Sequence, residues 1–128
     1  MKTTLYLLAA LALGLCSCSS PGPQVEPDPW AKVELDLTAL DEAGLRGPAY
    51  GKVAVAYEFA IPDTATHRAE VAAIDPTVRF MPGSRGRIGA GEGQCLCIGS
   101  THQDGYQEVL RRLEDLPYVE RIVECHFE

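Results

Sequence analysis

Apolar and polar positions alternate with a period of two in two parts of the chain, as is typical of half-buried β-strands. These parts are Val33–Leu37 and Val53–Ile61, and Pro62 ends the second strand. The second strand would carry large apolar side chains on one face. The residues on its other face are Ala54, Ala56, Glu58 and Ala60. Small residues there predict the close approach of another layer or of a second chain.

Two helices are predicted. The first covers Thr64–Ile74, with Asp63 as its N-terminal cap. The second follows a capping box formed by Asp104 and Gln107 and runs to Leu116. Its apolar residues repeat with helical spacing and therefore share one face. They are Val109, Leu110, Leu113 and Leu116.

The remaining apolar stretches complete an α+β pattern. Further strands are predicted at Thr77–Met81, Gln94–Gly99 and Val119–Phe127. The order from residue 53 is then β-α-β-β-α-β, the split βαβ or ferredoxin-like order. This order predicts an antiparallel sheet of four strands with two helices on one face. Val33–Leu37 either adds an edge strand at the N-terminal side or packs as an arm.

The N-terminal residues form a different pattern. Lys2 precedes an uncharged apolar run from Leu5 to Leu15, which is shorter than the roughly 20 residues of a membrane-spanning helix. A positive start and a short apolar run are typical of a secretory signal peptide. The run ends in Leu15-Cys16-Ser17-Cys18, which resembles the lipobox of bacterial lipoproteins. Cys18 fits that pattern better than Cys16, because a small residue precedes it.

The lipoprotein resemblance implies a lipid anchor and a location in the cell. Cys18 would carry a thioether-linked diacylglycerol and usually a third acyl chain on its amine, and several chains give stable anchoring. Ser19 follows it, where Asp would favour retention in the inner membrane, so the outer membrane is favoured. The alternative is an ordinary secreted protein with an incidental cysteine pair. The resemblance predicts localisation in the cell envelope.

The chain therefore divides into three predicted parts. Residues 1–17 are the signal peptide, 18–29 a tether rich in Pro, Ser and Gly, and 30–128 a single domain. Without residues 1–17 the chain has 10 Lys and Arg against 18 Asp and Glu, a formal charge of −8. Such a balance argues against nucleic acid as a partner and against electrostatic adsorption to anionic lipid.

Five residues make a candidate soft-metal inventory for Zn or Cu(I). They are Cys95, Cys97, His102, Cys125 and His126. Their spacing is not a standard zinc pattern, and the predicted sheet separates Cys97 from Cys125 by two strand spacings. The alternative is that the cysteines are small buried apolar residues and that no cofactor is bound. Three thiols remain after lipidation of Cys18, so at least one is unpaired unless it bonds to another chain.

A glycine-rich segment with two arginines lies between predicted strands. Arg85 and Arg87 suit a carboxylate or phosphate contact, because guanidinium groups bind such anions through paired hydrogen bonds. The segment lacks the Gly-Lys-Ser/Thr ending of a phosphate-binding loop, and a strand rather than a helix follows it. The alternative is a long connection between two strands.

No catalytic constellation emerges from the sequence. Ser100, Thr101, His102 and Asp104 are sequence neighbours, which cannot all point at one reaction centre. Glu58 is the one carboxylate with a distinctive position, and its alternative is simple exposure on an open sheet face.

The predicted function is a lipid-anchored, non-catalytic domain that binds a protein or self-associates. A thiol- or metal-handling protein is the alternative. A further alternative rests on residues 116–124, which are similar to the end of subtilisin-type propeptide domains. Those domains share the ferredoxin-like fold and inhibit proteases through a tail after the last strand, whereas the present sequence ends at Glu128.

Overall fold

A computed structural model describes Gly14, Ser17 and residues 20–126. The predicted signal peptide lies almost wholly outside these residues, and so does Cys18. Residues 20–29 are exposed and form neither helix nor strand. Within the described part of the chain, no helix is long and apolar enough to cross a membrane.

Seven strands and two α-helices follow this segment. In chain order they are β1 (Val33–Glu34), β2 (Leu45–Arg46), β3 (Val53–Ala54), β4 (Ala56–Pro62), α1 (Ala65–Ile74), β5 (Arg79–Pro82), β6 (Gln94–Ser100), α2 (Tyr106–Glu114) and β7 (Ile122–Cys125). A short 3-10 helix lies at Leu37–Ala39. The mixed α+β class is confirmed.

The strands form one sheet of five and one of two. The larger sheet has the order β1-β7-β4-β6-β5, and the smaller sheet pairs β2 with β3. The pairs β4–β6, β4–β7 and β5–β6 are antiparallel. β1 adds a parallel edge strand beside β7, with Val33 opposite Ile122. β5 is the other edge, and β4 is the central strand, between β7 and β6.

Both helices pack on one face of the large sheet. Tyr57, Phe59 and Ile61 on β4 meet Val71 of α1 and Leu110 of α2 in the main core, and all five are fully buried. The side chains on one face of β4 are therefore the apolar set that the alternation predicts. Val53 is the exception, because the strand is interrupted at Val55. Val53 is 54% exposed and pairs with Arg46 of β2 in the smaller sheet.

The predicted helix caps are wrong in both cases. Thr64, rather than Asp63, caps α1, and its hydroxyl accepts from the His67 amide at 3.2 Å. Gly105 occupies the cap position of α2 in the left-handed region, without a side-chain cap bond. Asp104 and Gln107 therefore form no capping box, and Gln107 contacts the Tyr106 hydroxyl instead. At α2 the residue that takes the cap position is Gly105, because glycine adopts positive φ without a steric penalty.

Residues 40–50 mix charged residues with Gly44, Gly47 and Pro48, a composition typical of a connection between elements. They contain β2, which is held by contacts distant in sequence. Thr101 is buried and joins Gly44 to Val55. Its hydroxyl donates to the Gly44 carbonyl at 2.6 Å and accepts from the Val55 amide at 3.0 Å. Gly44 has φ +74°, and a Cβ there would lie 1.8 Å from the Thr101 carbonyl oxygen. Only glycine fits this contact.

Candidate functional site

Glu58 is a buried carboxylate on the sheet face opposite the helices. It is 2% exposed, although its strand position predicts exposure on an open sheet. The reason is that residues 83–93 fold back over this face. The Ile88 amide donates to Glu58 Oε1 at 2.7 Å. The alternative that Glu58 is simply exposed on an open sheet face is therefore wrong. The layer that approaches the small-residue face comes from the same chain.

The close approach of this loop depends on Gly86. Its φ is +59°, and a Cβ there would lie 3.0 Å from both Glu58 carboxylate oxygens and 2.8 Å from Leu96 Cδ1. Ala90 is 4% exposed and packs with Leu96 and Ile98, so a second small core lies beneath the loop. We call residues 83–93 the arginine loop.

Cys125 lies beside Glu58 on the same face. The thiol packs with the second core, and burial followed by the hydrogen bond to the Glu58 carboxylate raises the pKa of Cys125. The positive charges of Arg87 and Arg79 act in the opposite direction on the pKa of Cys125. A half-buried thiol with a raised pKa is a weak nucleophile.

Cys95 and Cys97 face the other side of the sheet. Both are fully buried in the main core beneath the helices. Burial is the largest cause of the raised pKa of each thiol, and the two side chains contact each other. Cys97 pairs with Phe59 on β4, whereas Cys125 pairs with Ala56 on the opposite side of that strand. The predicted separation of Cys97 from Cys125 by β4 is therefore confirmed.

The two histidines of the candidate metal set lie at the surface. His102 Nδ1 is 3.1 Å from the Ala43 carbonyl oxygen, and His126 Nδ1 is 3.7 Å from Glu124 Oε1. The structure thus places Cys95 and Cys97 together in the main core, Cys125 on the other face of the sheet and both histidines at the surface. Among residues 20–126, no cluster of three His, Cys, Asp or Glu side chains is arranged to hold a metal, and no cysteine forms a disulfide.

The arginines proposed for anion binding are both exposed. Arg85 and Arg87 stand on the arginine loop, and the Arg85 carbonyl accepts from the Ala90 amide at 2.7 Å. Beside them, residues Gly83–Arg85 and Ala90–Glu92 border a shallow pocket of about 230 Å³. Arg79 of β5 is also exposed and belongs to the same side of the sheet. The sequence analysis missed this third guanidinium.

A second buried carboxylate closes the end of α1. Asp75 is fully buried and accepts hydrogen bonds from the Tyr57 hydroxyl, the Thr77 hydroxyl at 2.7 Å and the Gln103 amide at 3.2 Å. Gln103 also donates to the Ser100 carbonyl at 2.8 Å. Burial, followed by the charge of Asp75, raises the pKa of the Tyr57 hydroxyl far above its usual value. This network joins β4, α1 and the segment before α2.

Glu114 of α2 is a third buried carboxylate and accepts from the Lys32 amide at 3.0 Å. All three buried carboxylates thus have partners within the chain. No buried side-chain nitrogen or oxygen in the described residues lacks a hydrogen bond. A carboxylate that is held in this way serves the fold, because leaving a buried polar group unpaired is costly. The guanidinium groups of Arg79 and Arg85 are exposed, so a dissolved partner can reach them.

Comparison with protein-family models, with curated proteins and with solved structures gives no match to this chain.

Proposed function

We propose that this chain is a lipoprotein of the bacterial cell envelope whose single ferredoxin-like domain binds another protein. The observation that carries the proposal is the arrangement of three consecutive parts. A lipobox-like sequence ending at Cys18 is followed by ten exposed residues, 20–29, and then by a packed domain. Such an order suits a domain held at a distance from the membrane.

The length of the exposed segment supports a function away from the lipid surface. An extended proline-rich chain spans about 3 Å per residue, so residues 19–29 reach roughly 30 Å. The negative charge of the domain gives it no attraction to anionic lipid. The acyl chains on Cys18 would supply the membrane contact, and the domain would remain free to meet a protein in the periplasm or at the cell surface.

The strand order supports the ferredoxin-like assignment. If β4, β5, β6 and β7 are taken as the four strands of that fold, the order β7-β4-β6-β5 places the first and third strands in the centre and the last beside the first. Both helices pack on one face. β1 and the β2–β3 ribbon are then additions at the N-terminal side.

A binding role fits the chemistry of the domain better than catalysis. The three buried carboxylates, Glu58, Asp75 and Glu114, are hydrogen-bonded within the chain. The three thiols have raised pKa values and are partly or fully buried. Protein binding requires none of these groups to react.

Lipid attachment is tested by metabolic labelling in a bacterial host with an alkyne-bearing fatty acid. We expect the wild-type chain and Cys16→Ala to be labelled, and Cys18→Ala to be unlabelled and unprocessed. Cell fractionation should recover the labelled protein in the outer membrane. An unlabelled wild-type chain would refute the anchor, and loss of label in Cys16→Ala alone would move it to the other cysteine.

Protein binding is tested separately by crosslinking in intact cells. Photoreactive residues are placed one at a time at exposed positions on β5, on α2 and on the β2–β3 ribbon. We expect one position to give a discrete crosslinked species at native expression level. If every position gives only the unpartnered protein, the binding role is wrong, whatever the labelling experiment shows.

A further inference from the structure

The outer edge of β5 is an open strand edge in a positively charged setting. Its neighbour in the sheet is β6, and in the part of the chain that the structure describes no strand pairs with its other side. An edge strand presents main-chain N–H and C=O groups that can pair with another chain. On β5, Pro82 has no N–H and the Met81 carbonyl already accepts from the Ser84 amide at 3.2 Å, so Arg79 and Phe80 supply most of the main-chain groups. Met81 on this strand is 41% exposed, so an apolar side chain is also available there.

The charge around this edge contrasts with the rest of the protein. Between Asp75 and Glu92 the sequence has three arginines and no acidic residue, in a chain of formal charge −7. Arg79, Arg85 and Arg87 are all exposed. They lie on β5 itself and on the arginine loop that leaves it. Complementary charge speeds encounter and selects the partner.

The position of β5 also indicates that its open edge contacts a partner protein rather than the membrane that holds the lipid anchor. The tether enters the domain at β1, where the Lys32 amide donates to Glu114 at 3.0 Å. β1 and β5 are opposite edges of the five-stranded sheet. Four strand spacings separate them, about 19 Å. The open edge therefore lies on the far side of the sheet from the tether.

A second copy of this chain is a poor occupant. Antiparallel pairing of two β5 strands would bring two basic edges together, each with Arg79 on the strand and Arg85 on the loop that follows it. Like charges across paired strands are destabilising, and charged edges are a known protection against such pairing. An acidic strand meets the opposite condition, because it gains hydrogen bonds from the edge and ion pairs from the arginines.

We infer that β5 and the arginine loop form a docking edge for an extended, acidic segment of a partner protein. The segment adds a sixth strand beside β5, its main chain pairs with the edge, and its carboxylates contact Arg79 and Arg85. This inference rests on the proposed protein-binding function and names the partner class. A four-residue edge offers few main-chain bonds, so the charges contribute much of the affinity.

The test uses a synthetic peptide of alternating Glu and Val and the ¹⁵N-labelled full chain in uncharged detergent. Binding is followed by NMR at increasing peptide concentration. We expect saturable shifts at the amides of β5, β6 and the arginine loop, and weaker binding at higher salt. The same peptide with alternate backbone N-methyl groups should bind at least about tenfold more weakly, because it cannot pair along the strand.

Matched charge reversals test the arginines. Arg79→Glu combined with Arg85→Glu should weaken binding at least about tenfold. Arg112→Glu changes an exposed arginine on α2 and should leave the affinity unchanged. A ¹⁵N spectrum of each variant confirms the fold before titration.

Several results would overturn the inference. They are the absence of saturable binding, equal binding of the N-methylated peptide, shifts centred away from β5, and equal weakening by Arg112→Glu. Binding to vesicles of anionic lipid with the same arginine dependence, without peptide binding, would assign the edge to lipid instead. Crosslinks in cells only from α2 or the β2–β3 ribbon would refute this edge and leave the proposed function intact.

Discussion

At the scale of single residues, Glu58 shows that the position of a residue on a strand does not determine whether its side chain is buried. Its place on β4 predicts exposure, yet the arginine loop buries it and binds it through the Ile88 amide. The alternation of side chains correctly assigns Glu58 to the face opposite the helices. It contains no information on whether a distant segment covers that face.

Gly86 is the residue on which this cover depends. We expect Gly86→Ala to destabilise the fold by about 2–4 kcal/mol, because a Cβ adds left-handed backbone strain and crowds Glu58 and Leu96. Gly89→Ala is the matched control, since Gly89 has φ +76° but no atom within 4 Å of its Cβ. It should lose only about 1–2 kcal/mol. Urea unfolding measures both variants, and equal losses would show that the loop does not pack on Glu58.

At the scale of elements, the strongly periodic segments were predictable and the short ones were not. β4 and α2 carry enough repeated apolar positions to fix their faces before any tertiary contact is known. β2 has two residues and depends on partners in β3 and on Glu124 of β7. Its existence is decided by contacts distant in sequence, which no local pattern records.

The arginine loop illustrates a partial signal. Its glycines at 83, 86 and 89 all have positive φ, so each forms a turn rather than a flexible joint. Their regular spacing of three residues in the sequence was available as a sign of ordered structure. The direction in which the loop folds could not be predicted from this spacing. It depends on the carboxylate of Glu58, which lies 28 residues before Gly86 in the sequence.

The attachment of β2 to the main sheet should depend on pH. The hydrogen bond from Arg46 lowers the pKa of Glu124 below its ordinary 4.5. A lowered folded-state pKa contributes stability that is complete above the unfolded value and disappears as the pH falls through the folded value. We expect Arg46→Ala to cost about 0.5–1 kcal/mol at pH 7, a small loss because the pair is partly exposed, and nothing near pH 2.

The pair of Arg121 with Glu34 supplies the control. It also has an N–O distance of 2.6 Å, but both side chains are about half exposed. Arg121→Ala should therefore cost less at pH 7 than Arg46→Ala. Urea unfolding from pH 2 to pH 7 compares the two variants with the parent chain. A cost for Arg46→Ala that stays constant with pH would mean that the side chain stabilises by packing rather than by charge.

At the scale of the whole molecule, the chain joins an exposed segment to a packed domain at a defined point. Trp30 is the first residue that packs on the main core, and the Arg111 guanidinium lies 5.6 Å from its ring centre. The main-chain and side-chain nitrogens of Lys32 then bond to Glu114. Before Trp30, residues 20–29 are exposed throughout.

This boundary predicts that the distance between the domain and the membrane can be changed without changing the stability of the domain. Deletion of residues 20–26 removes only exposed chain, so the free energy of unfolding should change by less than about 0.5 kcal/mol. Trp30→Ala removes a side chain packed on the core and should cost about 1–3 kcal/mol. Urea unfolding of the full chain measures both.

The same deletion shortens the reach by roughly 20 Å, at about 3 Å per residue, without changing the residues around Cys18. If the partner lies beyond the headgroup region, crosslinks from β5 should weaken while fatty-acid labelling and stability stay at the parent level. Replacement of residues 20–26 by seven other residues rich in Pro and Ser is the control, and it should restore the crosslinks, because length rather than sequence sets the reach. A deletion that lowers stability would instead place part of this segment within the folded domain.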